Sequence, residues 1–97
     1  MNILVTGCNG QLGKEFQKIS NIHNYHNWIF TDIEELDICD EHSVNTFFSN
    51  NPIDVCINCA AYTAVDKAEE EEDKARNINA NAVFNLANAC KSSNSLL

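Results

Sequence analysis

The sequence predicts an α/β fold, part of a doubly wound parallel sheet made of its first three main strands with flanking helices. Three observations carry that expectation. Short apolar runs stand at Asn2 to Thr6, Trp28 to Thr31 and Ile53 to Asn58, and such runs, bounded by turn residues, mark strands of a covered parallel sheet. Between and after them apolar residues recur at steps of three and four, the helical period. The first run also ends in Gly7-Cys8-Asn9-Gly10-Gln11-Leu12-Gly13, a glycine-rich turn that opens into a helix. At 97 residues and 44% hydrophobic content the chain makes one globular domain with its own core.

Taken in order, Asn2 to Thr6 form the first strand. A helix follows from Gln11 to about Ser20 on the apolar positions Leu12, Phe16 and Ile19, and the polar stretch His23 to Asn27 ends it. Trp28-Ile29-Phe30-Thr31 is the second strand, rich in aromatic and β-branched residues, stopping at Asp32. Only Ile33 to Leu36 separate it from Asp37-Ile38, too few for a crossover helix, so Leu36-Asp37-Ile38 is at most a short edge strand. A second helix starts near Asp40 as N-cap, turns Val44, Phe47 and Phe48 inward, and stops at Asn50-Asn51-Pro52. Ile53 to Asn58 form the third main strand. The last helix carries Ala75, Ile78, Ala82, Leu86 and Ala89 and ends around Lys91-Ser92-Ser93, and Leu96-Leu97 read as the beginning of a further strand.

Charge and composition exclude several functions. Fourteen acidic against six basic residues give a formal charge of -8, which repels nucleic acid and anionic membrane surfaces. No segment reaches the roughly 20 continuous apolar residues of a membrane span, and Met1-Asn2-Ile3-Leu4 lacks the basic and apolar regions of a signal peptide, so a cytoplasmic chain is expected. Five cysteines form no regular framework and read as thiols in a reducing compartment. Cys56-Ile57-Asn58-Cys59 has redox or zinc spacing, but strand residues three apart point to opposite faces, which favours small buried apolar residues. The run Glu69 to Asp73 reads as a solvated helix start rather than a metal site. His23, His26 and His42 stand in polar surroundings and read as solvated. No metal is expected.

The chemistry concentrates at the glycine turn. Helix starts leave backbone N–H groups unpaired and carry partial positive charge, so a phosphate docks there without Lys or Arg. Gly7, Gly10 and Gly13 serve the turn, the ligand's approach and the packing of helix on strand, and Gln11 and Leu12 open the helix. A three-glycine pattern alone also fits a purely structural turn. Asp32 strengthens the dinucleotide reading, for it lies about twenty residues beyond the turn, the spacing of an acid that hydrogen-bonds a ribose diol. A carboxylate there accepts from both hydroxyls and repels a 2′-phosphate, favouring NAD(H) over NADP(H), while the plainer reading of Asp32 is a turn residue. In a right-handed crossover the third strand pairs on the far side of the first, which makes the gap between them a switch point where a cofactor lies. There Ala60 and Ala61 either let a ligand approach or are close-packed core. Tyr62 is an acid on that loop, but no Lys follows at a spacing that tunes it, and it is not assigned a catalytic role.

Taken together, Met1 to Gly7 with Asn9 to Gly13, Leu36-Asp37-Ile38, the run Asn58 to Glu69 (Asn-Cys-Ala-Ala-Tyr-Thr-Ala-Val-Asp-Lys-Ala-Glu) and Asn79-Ala80-Asn81-Ala82 closely resemble the dTDP-4-dehydrorhamnose reductase family of extended short-chain dehydrogenase/reductases. The resemblance implies a Rossmann domain in which Gly10, Gln11 and Leu12 touch the pyrophosphate, Asp32 meets the adenosine ribose, Asp37 and Ile38 the adenine, and Ala61, Tyr62 and Thr63 the nicotinamide-side ribose and phosphate. It implies NADH or NADPH as cofactor and a nucleotide-sugar substrate whose 4-keto group is reduced on the way to dTDP-rhamnose. The family's catalytic Tyr-x-x-x-Lys helix and its substrate-binding part come after the region matched here. Residues 1–97 are therefore expected to be the N-terminal part of an NAD(P)-binding Rossmann domain, without catalytic residues and inactive alone. Its uncovered sheet edge and apolar face make homo-oligomers an expected partner. Two departures from the family pattern are Cys8, which leaves the backbone argument intact, and Glu72 in place of a common Pro, which lets the last helix begin earlier. The alternatives are a non-catalytic Rossmann module with a regulatory or subunit-binding role, or another extended short-chain sugar-nucleotide epimerase or dehydratase.

Overall fold

The structure, a computed structural model, describes residues 1–60 and 72–97, the side chains of 72–78 excepted. The elements run β1 (Asn2–Thr6), α1 (Gln11–Ile22), β2 (Asn27–Phe30), α2 (Glu41–Asn50), β3 (Val55–Asn58) and α3 (Glu72–Ser93). The strands form one parallel sheet in the order β2-β1-β3, with Leu4 opposite both Ile29 and Cys56. The expected partial Rossmann arrangement is thus present: β1 is central, and the chain returns to β1's other side between β2 and β3. Leu96 continues the sheet beyond β3. Its N–H donates to the Asp54 carbonyl at 2.9 Å and its carbonyl accepts from Cys56 N–H at 2.7 Å, a parallel bridge where the further strand was expected to begin.

The core lies on the face covered by α2 and α3. Leu4 and Cys56 from the sheet meet Val44 and Phe48 of α2 and Ala82, Leu86, Ala89 and Cys90 of α3. Phe47 packs against this cluster only in part, so of the three residues expected inward on α2 two are buried. Burial of Cys56 among apolar groups, next to the Cys90 thiol, pushes its own thiol up to about 12, which suits its reading as a small apolar core residue. None of the five cysteines is in a disulfide.

Local signals set the element ends. Asp40 caps α2, accepting from His42 N–H at 3.1 Å and Ser43 N–H at 3.5 Å, with the Ser43 hydroxyl donating at 3.0 Å. At the end of α3 Asn94 takes a left-handed φ of 57°, and Ser95 N–H donates to the Cys90 carbonyl at 2.8 Å, closing the helix as Asn and Gly do at such positions. The helix is described from Glu72, and the preceding residues, with the rest of the Glu69 to Asp73 run, lie outside the described residues.

Four assignments differ from expectation, the first being β2, which runs Asn27–Phe30 rather than Trp28 to Thr31. Helix α1 continues to Ile22, where His23 N–H donates to the Ile19 carbonyl at 2.9 Å. Strand β3 starts at Val55 rather than Ile53, although Ile53 is still buried. Leu36-Asp37-Ile38 is a loop and no edge strand: Leu36 and Ile38 anchor it in the core, and the Asp37 carboxylate accepts from Cys39 N–H at 3.0 Å. Such a local side-chain bond competes with a strand ladder. Among the described residues no helix is long and apolar enough to cross a membrane, and no group of acids, His and Cys is placed to hold a metal.

Candidate functional site

The site is built where β1 hands over to α1. Gly7 has φ +64°, and a Cβ on it would come within 2.5 Å of the Ala60 nitrogen, so the turn and the end of β3 touch backbone to backbone. A Cβ on Gly13 would strike the Gly7 carbonyl and come within 2.6 Å of Cys8 Cα, so α1 lies directly on the turn. Gly10 differs. A Cβ there would meet only the Gly7 carbonyl at 3.5 Å, leaving open space above the helix start. No described side chain caps α1, so its first N–H groups, from Gln11 and Leu12 onward, face that space with the helix's partial positive charge.

Beside the turn, β2 ends at Asp32. Its carboxylate is half-buried, accepting from Asn9 N–H at 3.1 Å and from Ile33 N–H at 2.7 Å. Glu35 reaches back to accept from Asp32 N–H at 2.9 Å. The loop from Asp32 to Cys39 then walls a cleft of about 230 Å³ whose other sides are Thr6, Gly7, Ala60 and the α3 residues Asn79 and Ala82. Among the described residues no lysine or arginine lines it. Two carboxylates, Asp32 and Asp37, do. Burial, reinforced by the charges of Asp32 and Glu35, holds the Cys8 thiol above its ordinary range, so it stays a neutral filler behind the turn.

Of the residues singled out from the sequence, the cleft gathers Gly7, Asp32, Asp37, Ile38 and Ala60. Gly10, Gln11, Leu12 and Gly13 form the adjoining turn and helix start rather than the cleft wall. Ala61, Tyr62 and Thr63 lie outside the described residues. Sequence reasoning missed Thr6, Ile33, Leu36, Cys39, Asn79 and Ala82 as lining residues. Leu36 neighbours an expected contact and was readable as such. Asn79 and Ala82 stand in a run that carried the resemblance without an assigned role, and the packing of α3 brings them to the cleft. The arrangement offers backbone donors and positive dipole to a phosphate, an acid to a diol, and an apolar slot to a flat ring.

Comparison with known proteins finds relatives of the chain among sugar-nucleotide reductases. A dTDP-4-dehydrorhamnose reductase of Mycolicibacterium smegmatis is 41% identical over 88 residues, covering 91% of this chain and 26% of the relative. The crystal structure of a dTDP-4-dehydrorhamnose reductase from Clostridium acetobutylicum superposes with a TM-score of 0.89 at 49% identity, covering 98% of this chain and 34% of that one. A dTDP-4-dehydrorhamnose reductase from Bacillus anthracis, solved in complex with NADP, has a TM-score of 0.86 at 36% identity over 97% of this chain and 34% of its own. The chain therefore spans about a quarter to a third of the length of these relatives. The match to the family itself runs from residue 1 to residue 97, and by it the chain belongs to the family described as the RmlD substrate binding domain.

Proposed function

We propose that residues 1–97 form the N-terminal, cofactor-holding part of a Rossmann domain in a dTDP-4-dehydrorhamnose reductase, and that they bind NADH or NADPH. The observation that carries this reading is the uncapped start of α1 behind Gly10, with Asp32 tied to the same turn and facing the cleft. The N–H groups of Gln11 and Leu12 hold the pyrophosphate with Gly7, Gly10 and Gly13 shaping its seat. Asp32 accepts from the adenosine ribose, and Asp37 and Ile38 flank the adenine. Ala60, Ala61, Tyr62 and Thr63 continue the site toward the nicotinamide. When bound, the nicotinamide supplies the hydride. Nothing in this chain is assigned the proton transfer to a 4-keto sugar, and the nucleotide-sugar substrate, the dTDP-rhamnose product and a cytoplasmic setting belong to the whole-protein proposal. The acidic surface speaks against nucleic acid and membranes as partners.

Gly10→Val tests the reading cleanly, because Gly10 has φ -76° and free space at its Cβ. The variant is expected to keep the melting temperature of the wild type while filling the pyrophosphate seat, so that NADH titrated against it binds at least about tenfold more weakly. Wild-type chain that binds neither NADH nor NADPH, or Gly10→Val that binds as well as wild type, overturns the proposal. In the same titration NADH should bind more tightly than NADPH, since Asp32 and Asp37 meet the 2′-phosphate with no cation among the described cleft residues.

A further inference from the structure

The glycine turn is held by groups outside it, and one of them makes no contact with the cofactor in the reading above. Within the turn Cys8 N–H donates to the Thr31 carbonyl at 3.0 Å and Gly10 N–H to the Gly7 carbonyl at 3.2 Å. That leaves one peptide plane, Cys8–Asn9, without a backbone partner among the described residues for either of its groups. Two side chains grip it from its two ends. Its carbonyl, on Cys8, accepts from Gln17 Nε2 at 2.8 Å, and its N–H, on Asn9, donates to Asp32 Oδ2 at 3.1 Å. Gln17 is half-buried and sits in the second turn of α1, the helix whose free N–H groups face the seat.

A peptide plane in a tight turn changes orientation by flipping, which exchanges the directions of its carbonyl and its N–H. Here a flip would carry the Cys8 oxygen toward the Asp32 carboxylate and point the Asn9 N–H at the Gln17 amide hydrogens. Both grips would be lost and two repulsions gained. Resting on the cofactor reading above, we propose that Gln17 is a positioning residue for the dinucleotide: its amide fixes the Cys8–Asn9 plane, and so the shape of the pyrophosphate seat, without touching the ligand. Asp32 does the same from the other side while also reading the ribose.

The test compares NAD+ binding by calorimetry to the wild-type chain, Gln17→Leu and Gln17→Glu across pH, NAD+ being stable in acid. At about pH 8 both variants should bind about tenfold more weakly, the loss of one partly buried hydrogen bond, and in Gln17→Glu the introduced carboxylate additionally repels the Cys8 carbonyl. Toward about pH 5 a protonated carboxyl regains a donor, so the ratio of Gln17→Glu to wild-type affinity should climb while that of Gln17→Leu stays flat. The Asp32 and Glu35 carboxylates beside the turn are common to all three proteins, so reading ratios isolates the group at position 17. Melting temperatures show whether each variant is folded, and if Gln17→Leu is not, the pH ratio of Gln17→Glu decides alone. Wild-type binding with unaffected variants, or a Gln17→Glu ratio that does not rise in acid, overturns the positioning role and leaves the cofactor reading standing. Wild-type chain that binds no NAD+ removes the cofactor reading and this inference with it.

Discussion

Three glycines that look equivalent as letters do different work as residues. Gly7 combines a left-handed φ of +64° with the backbone of Ala60 against its α-carbon, so an alanine there meets both a conformational and a steric penalty. Left-handed backbone alone costs an L-residue roughly 1–2 kcal/mol. Gly10, at φ -76° with room for a methyl, meets neither, and its substitution by alanine also lowers the entropy of the unfolded chain. In urea unfolding, Gly7→Ala is therefore expected to lower stability by about 2 kcal/mol or more, and Gly10→Ala to leave it within about 0.5 kcal/mol or raise it. Equal losses at the two positions would refute the division of labour. It follows that the fold requires glycine at Gly7 but not at Gly10, which leaves Gly10 for the cofactor seat proposed above, a distinction that the spacing of the glycines does not contain.

At the scale of elements, what the sequence announces is what is decided locally. Asp40 followed by the Val44 and Phe48 face marks the start and the buried side of α2, and Asn2 to Thr6 matches β1 residue for residue, because caps and short apolar runs act within a few positions. The loop Leu36 to Ile38 was not legible as a loop. Its buried residues alternate as a strand's do, and what separates the two is the local bond from Cys39 N–H to Asp37 and the lack of a paired strand among the described residues. Likewise Asn79 and Ala82, marked in the sequence as a motif but not as cleft residues, reach the cleft through packing, and Gln17 holds the turn across nine residues that no short motif spans. The cap on α2 also carries a pH dependence. Hydrogen bonds, first from the Ser43 hydroxyl and then from backbone N–H groups, hold the Asp40 carboxyl below its ordinary range. A lowered folded-state value contributes stability above the unfolded value and loses it as pH falls through the folded one, so the window lies below about pH 4. Wild type should melt above Asp40→Ala at neutral pH, with the gap narrowing in acid as the carboxylate protonates. A gap that is constant from neutral pH to about pH 3 would show that the charge on the cap contributes nothing.

For the molecule as a whole, the two faces of the sheet are treated unequally. The face under α2 and α3 holds the core, whereas α1 presents much of the apolar stripe read from the sequence to solvent: Leu12 is 56% exposed and Ile19 38%, and Ile22, in the turn by which the helix outruns that reading, is 75% exposed. Phe16 alone of the expected stripe is half-buried, since α1 approaches the turn through Gly13 and no described element covers its outer side. Beyond the core, Phe84 on α3 and Leu96 at the sheet margin are 64% and 71% exposed. Exposed apolar side chains favour association, and a formal charge of -8 opposes it. The two terms respond differently to salt, because screening weakens the repulsion between charged copies and leaves apolar burial in place. Sedimentation velocity is therefore expected to show association that grows with protein concentration and strengthens between about 0.05 and 0.5 M NaCl. Replacing Ile19 and Ile22 together by serine removes apolar area from α1 without altering the net charge, and should shift the equilibrium toward monomer at both salt concentrations. A chain that stays monomeric at high salt would mean that the exposed stripe is too small to overcome the cost of bringing two copies together. Association unchanged by the double serine variant would instead move the contact away from α1, to the exposed Phe84 of α3 or to Leu96 at the sheet margin.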